Sequence, residues 1–320
     1  MPVRVAFLGN DPWSVPALDA LVGEPETAVV VVGTNPPRPA GRGNEPRPTA
    51  VADAARAHGL PLVETERVSS GAGLTALEAA SPDVVVVVAY GEILRREVLA
   101  LAGLGTLNVH LSLLPRWRGA SPVQHALLAG DERTGVTVMR MDEGLDTGPV
   151  LGTLEDDIRP DDDAGSLGDR LARLGGMLLV GVIRQLATDG LPERPQDEAK
   201  ATWAPKLGPA DRALRWDEPA GALARRVRAL SPEPGATTTF RGDPLKVLAA
   251  AVGHDRSADD TQPGTIRPGA IVAADDRGVA VATGDGVLRL LEVAPAGRRR
   301  MAASEWANGA RFAPHERLGP

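Results

Sequence analysis

Apolar runs separated by helical segments dominate the first part of the chain: "VRVAFLG", "AVVVVGT", "DVVVVVAY" and "GTLNVHLSLL". Between them lie 13–22, opened by Asp11-Pro12, "TAVADAARAHG" ending at Gly59, and "EILRREVLALAG", each with helical periodicity. Strands that are apolar on both faces need cover on both, and helices in the crossovers supply it. This alternation predicts an α/β domain with a Rossmann-like, mostly parallel sheet and a further helix over 166–188. Such sheets bind ligands beyond the carboxyl ends of their strands. The first turn, "FLGNDPW", has no G-x-G-x-x-G, so a nicotinamide cofactor is not expected.

A chain of 320 residues is too long for one small core. After the alternating part, "DGLPERPQDEAKATWAPKLGP" has the polar, Pro-rich composition of a linker. One amphipathic helix over 219–230 follows, and then short strands: "ATTTF", "PLKVLAAAV", "GAIVAADDRGVAVAT" and "GVLRLLEVAPAG", with "DDRG" and "GDG" as tight turns. The expected division is therefore a domain over 1–189, a linker over 190–206 and a small β-barrel of the oligonucleotide-binding type over 207–320.

Composition removes several functional classes. There is no cysteine, which excludes disulfides, thiolate metal sites and thiol nucleophiles. The five histidines are scattered and form no metal-binding pattern, so no metal is expected. The longest apolar run, Val84 to Tyr90, falls far short of the roughly 20 residues that a membrane-spanning helix needs. The N-terminus lacks the apolar stretch of a secretory signal and reads as a first strand, so neither export nor a membrane is expected.

A net charge of −7 argues against a nonspecific nucleic-acid binder. The basic groups are nevertheless clustered. Arg225, Arg226 and Arg228 fall in the amphipathic helix, and Arg298, Arg299 and Arg300 form "GRRRM". The Pro- and Gly-rich stretch 34–48 carries Arg38, Arg42 and Arg47 and is too rich in both residues for a regular element. Each group fits either a solvated surface or contact with an anion.

Polar groups interrupt one strand. In "LNVHLSLLPRWRGASP" Asn108 and His110 share a face, while Val109 points the other way. A hydrogen-bonded core pair and a functional site both fit the pair taken alone; its place at the carboxyl end of a strand favours a site. "MRMDEGLDTGPVL" adds Asp142 and Asp146 on a Gly-interrupted loop able to bend back to the sheet edge. A His, a carboxylate and an amide are equipment for acyl transfer. Ser112 and Ser121 lie in no nucleophile-elbow pattern, so direct transfer to an incoming nucleophile is the simpler chemistry.

The pattern N-x-H-x-SLLP-x-x-x-G followed by D-x-G-x-D-T-G resembles the folate-dependent formyltransferases. "RPAGRG", "VVVAYGEIL", "RGASPVQHALLAGDERTGVTVM", "WAPKL", "PGTI" and "PAGRRRM" extend the likeness over nearly the whole chain, to the branch that formylates initiator methionyl-tRNA. The resemblance implies 10-formyltetrahydrofolate as formyl donor and methionyl-tRNA as acceptor, in a cytoplasmic protein expected to be a monomer. It implies Asn108, His110 and Asp146 as the catalytic trio. It implies folate contacts from Ser112, Leu113, Leu114 and Pro115 and from Val88, Tyr90, Gly91 and Ile93, and tRNA contacts from Arg38, Arg42, Arg298, Arg299 and Arg300. Sugar-nucleotide N-formyltransferases share the trio and the donor but have no need of an Arg-studded loop. Three departures stand out: the opening turn reads "GNDPW" rather than G-T-P-acidic-F, the loop after Arg42 reads "GNEPRPTAV" where relatives commonly carry Lys, and Glu233 stands where they commonly carry an aromatic.

Overall fold

Val84–Val88 is buried at all five positions, as expected of a strand covered on both faces. It belongs to a computed structural model that describes residues 1–40, 45–188, 190–253, 267–313 and 316–319. The chain forms two units: Met1–Pro122 with Arg133–Asp157 and Gly168–Pro205, and Val123–Glu132 with Ile158–Leu167 and Lys206–Pro320.

The elements up to 188 are β1 (Val3–Gly9), α1 (Val15–Gly23), β2 (Thr27–Thr34), β3 (Arg38–Ala40), β4 (Glu45–Arg47), α2 (Ala50–Ala57), β5 (Leu62–Glu64), α3 (Gly71–Ala80), β6 (Val84–Val88), α4 (Arg96–Leu99), β7 (Thr106–His110), α5 (Pro122–Ala129), β8 (Arg133–Arg140), β9 (Val150–Asp157) and α6 (Ala164–Thr188). Seven strands make one sheet in the order β5-β2-β1-β6-β7-β8-β9. The pairs from β5 to β7 are parallel, and β8 and β9 are added antiparallel. The predicted mostly parallel sheet is thus present.

Helix α6 explains which face of β7 is free for chemistry. A Cβ at Gly175 would lie 2.6 Å from Val109 Cγ1, so the missing side chain lets the helix close on Val109. The two-residue period of a strand then turns Asn108 and His110 to the opposite face. By length and composition α6 is also apolar enough to cross a membrane, although Gly, Asp and Arg interrupt its apolar residues. Leu167, Leu171, Leu179 and Ile183 on it are fully buried, and their spacing of four or eight gives the one-sided stripe of a core helix.

Three local expectations change. Residues 34–48 are not wholly irregular: β3 and β4 pair as a short ribbon with Pro39 opposite Pro46. Both prolines occupy one rung where neither needs to donate, so their missing N–H groups cost no ladder bond. "EILRREVLALAG" is helical only over Arg96–Leu99. The residues before it are tied elsewhere, since the Glu92 carboxylate accepts from Val68 N and Ser69 N, and Arg95 N donates to Ser69 Oγ. The stretch 190–206 is no free tether: Arg194 exchanges backbone bonds with Val150, and Thr202 and Ala204 bond to Pro115, Arg118 and Ser121.

The second unit contains α7 (Ala220–Leu230), β10 (Ala236–Phe240), β11 (Asp243–Gly253), β12 (Ile271–Asp275), β13 (Gly278–Ala282), β14 (Val287–Pro295), β15 (Met301–Ala302) and α8 (Ala303–Ala310). Its antiparallel sheet runs β10-β11-β14-β13-β12, with β15 on β14. The last described residues join its two outer strands. Gly319 N donates to Thr239 O of β10, while Ile271 N of β12 donates to Glu316 O and Leu318 N to Gly269 O. Closing the edges in this way removes unpaired strand groups, as a barrel does. Leu223, Val227 and Trp306 fill the interior with Val247, Leu288 and Leu290.

Candidate functional site

β6 and β7 are parallel neighbours, so the loops that follow them, 89–93 and 111–119, leave the sheet at one edge. The long β8–β9 loop folds back to meet them and brings together the three groups singled out in the sequence. Asn108 Nδ2 donates to Asp146 Oδ1 at 3.3 Å, and His110 Nδ1 lies 3.8 Å from Asp146 Oδ2. His110 and Asp146 are both buried. A third bond fixes the carboxylate, because Gly119 N donates to Oδ2 at 2.8 Å.

The other imidazole nitrogen is spoken for. His110 Nε2 is 2.7 Å from Trp117 O. A carbonyl oxygen only accepts, so Nε2 carries the hydrogen, and Nδ1 is the nitrogen left to exchange a proton. The Trp117 peptide is itself anchored, its N–H donating to Ser112 Oγ at 3.1 Å.

The glycines of the β8–β9 loop act differently from the sequence expectation. They are there for close approach: a Cβ on Gly148 would lie 1.8 Å from Arg140 O. The left-handed residue is Asp146 itself, at φ +55°, a conformation that Asp tolerates better than most residues but that is still uncommon. Asp142 has the other role open to a loop Asp. It is exposed, and its Oδ1 accepts from Gly144 N and Thr147 Oγ1, shaping the turn.

Residues absent from the sequence reading hold this bend. Gln196 Nε2 donates to both Asp146 O and Gly148 O at 2.8 Å. Arg118, almost wholly buried, reaches Gln196 Oε1 through Nε and Nη2 and Glu198 through Nη1 and Nη2. The hydrogen bond from Arg118 holds the Glu198 carboxyl below its ordinary range. Gly119 closes the N-x-H-x-SLLP-x-x-x-G pattern without a role of its own there, and Arg118 fills one of its unspecified positions; Gln196 falls in the stretch that composition marks as a linker, and nothing local singles it out. Asn10, in the departing opening turn, was also missed. Its Nδ2 donates to Tyr90 O, while its Oδ1 accepts from Thr34 Oγ1 and Asn35 N, tying three strand ends together.

Of the residues the resemblance assigns to folate, Gly91 and Ile93 are exposed and Leu113 and Pro115 half-buried. Val88, Tyr90, Ser112 and Leu114 are buried. Thr137 holds the second loop from below: its Oγ1 donates to Ser112 O at 2.7 Å and accepts from Leu114 N at 3.1 Å. Burial raises the Tyr90 phenol well above its ordinary pKa, and the nearby Glu92 charge adds to this. None of these residues lines the groove of about 1180 Å³ beside α6, which lies away from the trio.

The arginines fall in separate places. Arg38 stands opposite Arg47 on the β3/β4 ribbon; Arg42 lies outside the described residues. Arg298, Arg299 and Arg300 are exposed after β14, and Arg300 is paired with Glu292. Glu233 lies within 3.9 Å of Lys246.

Comparison with known proteins covers both units. The family model described as formyl transferase matches residues 3–183, and that of the formyl transferase C-terminal domain matches 206–311. The methionyl-tRNA formyltransferase of Halorhodospira halophila is 46% identical over 316 residues, 99% of each chain. That of Thermus thermophilus is 45% identical over 317 residues, again 99% of each. Among solved structures, HypX from Aquifex aeolicus in complex with tetrahydrofolic acid has a TM-score of 0.65 at 16% identity. The match covers 99% of this chain, which spans about half (49%) of that one, and shows a shared fold.

Proposed function

The chain belongs to the formyl transferase family, and we propose on that footing that it moves the formyl group of 10-formyltetrahydrofolate to the α-amino group of methionyl initiator tRNA. The carrying observation is the 46% identity, over 99% of both chains, to a methionyl-tRNA formyltransferase. We take its working form to be a cytoplasmic monomer, with catalysis in 1–189 and tRNA binding supported by 207–320.

In this reading the neutral amine attacks the formyl carbon. A nitrogen–carbon bond forms, the bond from that carbon to the folate nitrogen breaks, and one proton passes from the attacking to the leaving nitrogen. Negative charge builds on the formyl oxygen on the way, and the second hydrogen of the Asn108 amide is available to meet it. His110 Nδ1 takes up and returns the proton, since Nε2 is held by Trp117 O. Asp146, fixed by Asn108 and Gly119, balances the charge of the imidazolium. The donor is a second substrate, and the accessible Gly91, Ile93, Leu113 and Pro115 suit its flat, largely apolar ring system.

The ribbon supports a phosphate-binding role for its arginines. Like charges directly opposite on paired strands are unfavourable, and an anion between Arg38 and Arg47 would remove the cost. The test is an acceptor assay with purified protein, formyl donor, and either charged initiator tRNA or an amino-sugar nucleotide. Formylmethionyl-tRNA is the expected product. Transfer to the sugar alone overturns the reading.

A further inference from the structure

Two carbonyl oxygens of the left-handed bend, those of Asp146 and Gly148, converge on one carboxamide. Its orientation leaves no choice. Arg118 can only donate, so Gln196 must turn Oε1 towards the guanidinium and Nε2 towards the two carbonyls. Arg118 is locked in turn by Glu198, with Nη2 to Oε1 at 2.6 Å and Nη1 to Oε2 at 2.9 Å. The series of bonds runs from a carboxylate whose side chain is 71% exposed, through a guanidinium that is 1% exposed, to the backbone that carries the reacting carboxylate.

We propose that Gln196 is a positioning residue for formyl transfer: oriented by Arg118 and Glu198, it holds the Asp146 backbone in the left-handed bend that aims the carboxylate at Asn108 and His110. An uncommon backbone conformation persists only when its surroundings over-determine it, and the two bonds from Gln196 anchor the bend from behind. Released from them, the Asp146 peptide can relax. The carboxylate then shifts relative to His110 Nδ1, and displacements near 1 Å at a reacting group cost about 100-fold in rate. The loss would appear in the chemical step, because Gln196 bonds neither loop assigned to the folate, 88–93 or 112–115.

The proposal rests on the formyl-transfer reading for its kinetic arm only. Gln196→Glu keeps the shape and the approach to Arg118 but sets an acceptor against two carbonyls. Its kcat is expected to fall about 10–100-fold, as for other supporting groups behind an active centre, with KM for both substrates within about twofold. Because Gln196 acts through Asp146, adding Gln196→Glu to Asp146→Ala should change kcat by less than about twofold. A general structural defect would instead add its full effect in that background. Glu198→Gln, at an exposed position, should fold normally and give a smaller loss of kcat that also vanishes in Asp146→Ala. Amide exchange over 142–149, measured without substrate, should speed up in Gln196→Glu. Wild-type kcat in Gln196→Glu, or an undiminished effect in the Asp146→Ala background, overturns the proposal. A wild-type protein that formylates no methionyl-tRNA counts against the function above; the exchange measurement then decides Gln196 by itself, and unchanged exchange sinks it.

Discussion

The backbone N–H of Gly119 donates to Asp146 Oδ2 at 2.8 Å, and Gly119 can do so only because it has no side chain. Its φ is +117°, and a Cβ there would sit 2.7 Å from Ala204 O. The segment that crosses behind the site therefore dictates which residue can hold the Asp146 carboxylate.

Gly119→Ala should accordingly damage both stability and rate. Strain at that φ and overpacking against Ala204 each cost about 1–3 kcal/mol. On the folded fraction, kcat is expected to fall at least about tenfold as the N–H is displaced from Asp146. Thermal unfolding beside single-turnover formylation separates the two effects, and wild-type rates would show that the Gly119 bond is dispensable.

The trio should serve the transition state more than the ground state. His110→Ala and Asp146→Ala are each expected to lower turnover by orders of magnitude while folate binding, followed by fluorescence or calorimetry, persists. Asn108→Ala removes the donor proposed for the formyl oxygen, and the loss of one such donor is worth about 10²–10³-fold in kcat at comparable sites. An effect confined to KM would make Asn108 a binding residue.

Arginines that touch tRNA phosphates should reveal themselves through salt. Removing one arginine–phosphate pair flattens the log-log salt dependence of binding by about 1 unit. Arg38→Ala and Arg42→Ala should raise KM for charged tRNA and leave donor binding unchanged. In the exposed cluster, Arg298→Ala and Arg299→Ala should each flatten the slope more than Arg300→Ala, since Glu292 already neutralises Arg300. Equal slopes for wild type and all variants would dismiss the phosphate-binding role.

Closure of the second unit should depend on pH. Arg241 bonds Glu316 through Nε and Nη2, and these bonds hold the Glu316 carboxyl below its ordinary 4.5. A carboxyl with a lowered folded-state pKa contributes stability that is complete above its unfolded value and disappears as pH falls through the folded one. Arg241→Ala should therefore give a modest fall in Tm at neutral pH that shrinks progressively below pH 4.5. A difference that stays constant to pH 3 would mean that the pair does not stabilise the closing segment.

Much of this protein is legible from residue order because the relevant physics is local. Uninterrupted valines in β6 demand cover on both faces, and helical segments between such runs supply it, so the mostly parallel sheet follows from the pattern. The period of two in β7 puts Asn108 and His110 together whatever surrounds them, while the loop spacing offers both Asp142 and Asp146 and only the resemblance to the formyltransferases selects Asp146. Composition misled where remote partners decide. Residues 190–206 look like solvated tether, yet 194–204 are bonded to the first unit, because a polar Pro-rich segment can also satisfy buried backbone and side-chain groups. The left-handed turn fell to Asp146 rather than its neighbouring glycines, since the glycines were needed where Arg140 O and Thr147 crowd the chain. Sequence determined which chemical groups stand on which face of each element. Only the tertiary structure decided which nitrogen of His110 is free and what holds Asp146, because hydrogen bonds between remote segments are set by which buried donors and acceptors still need partners once the chain has packed.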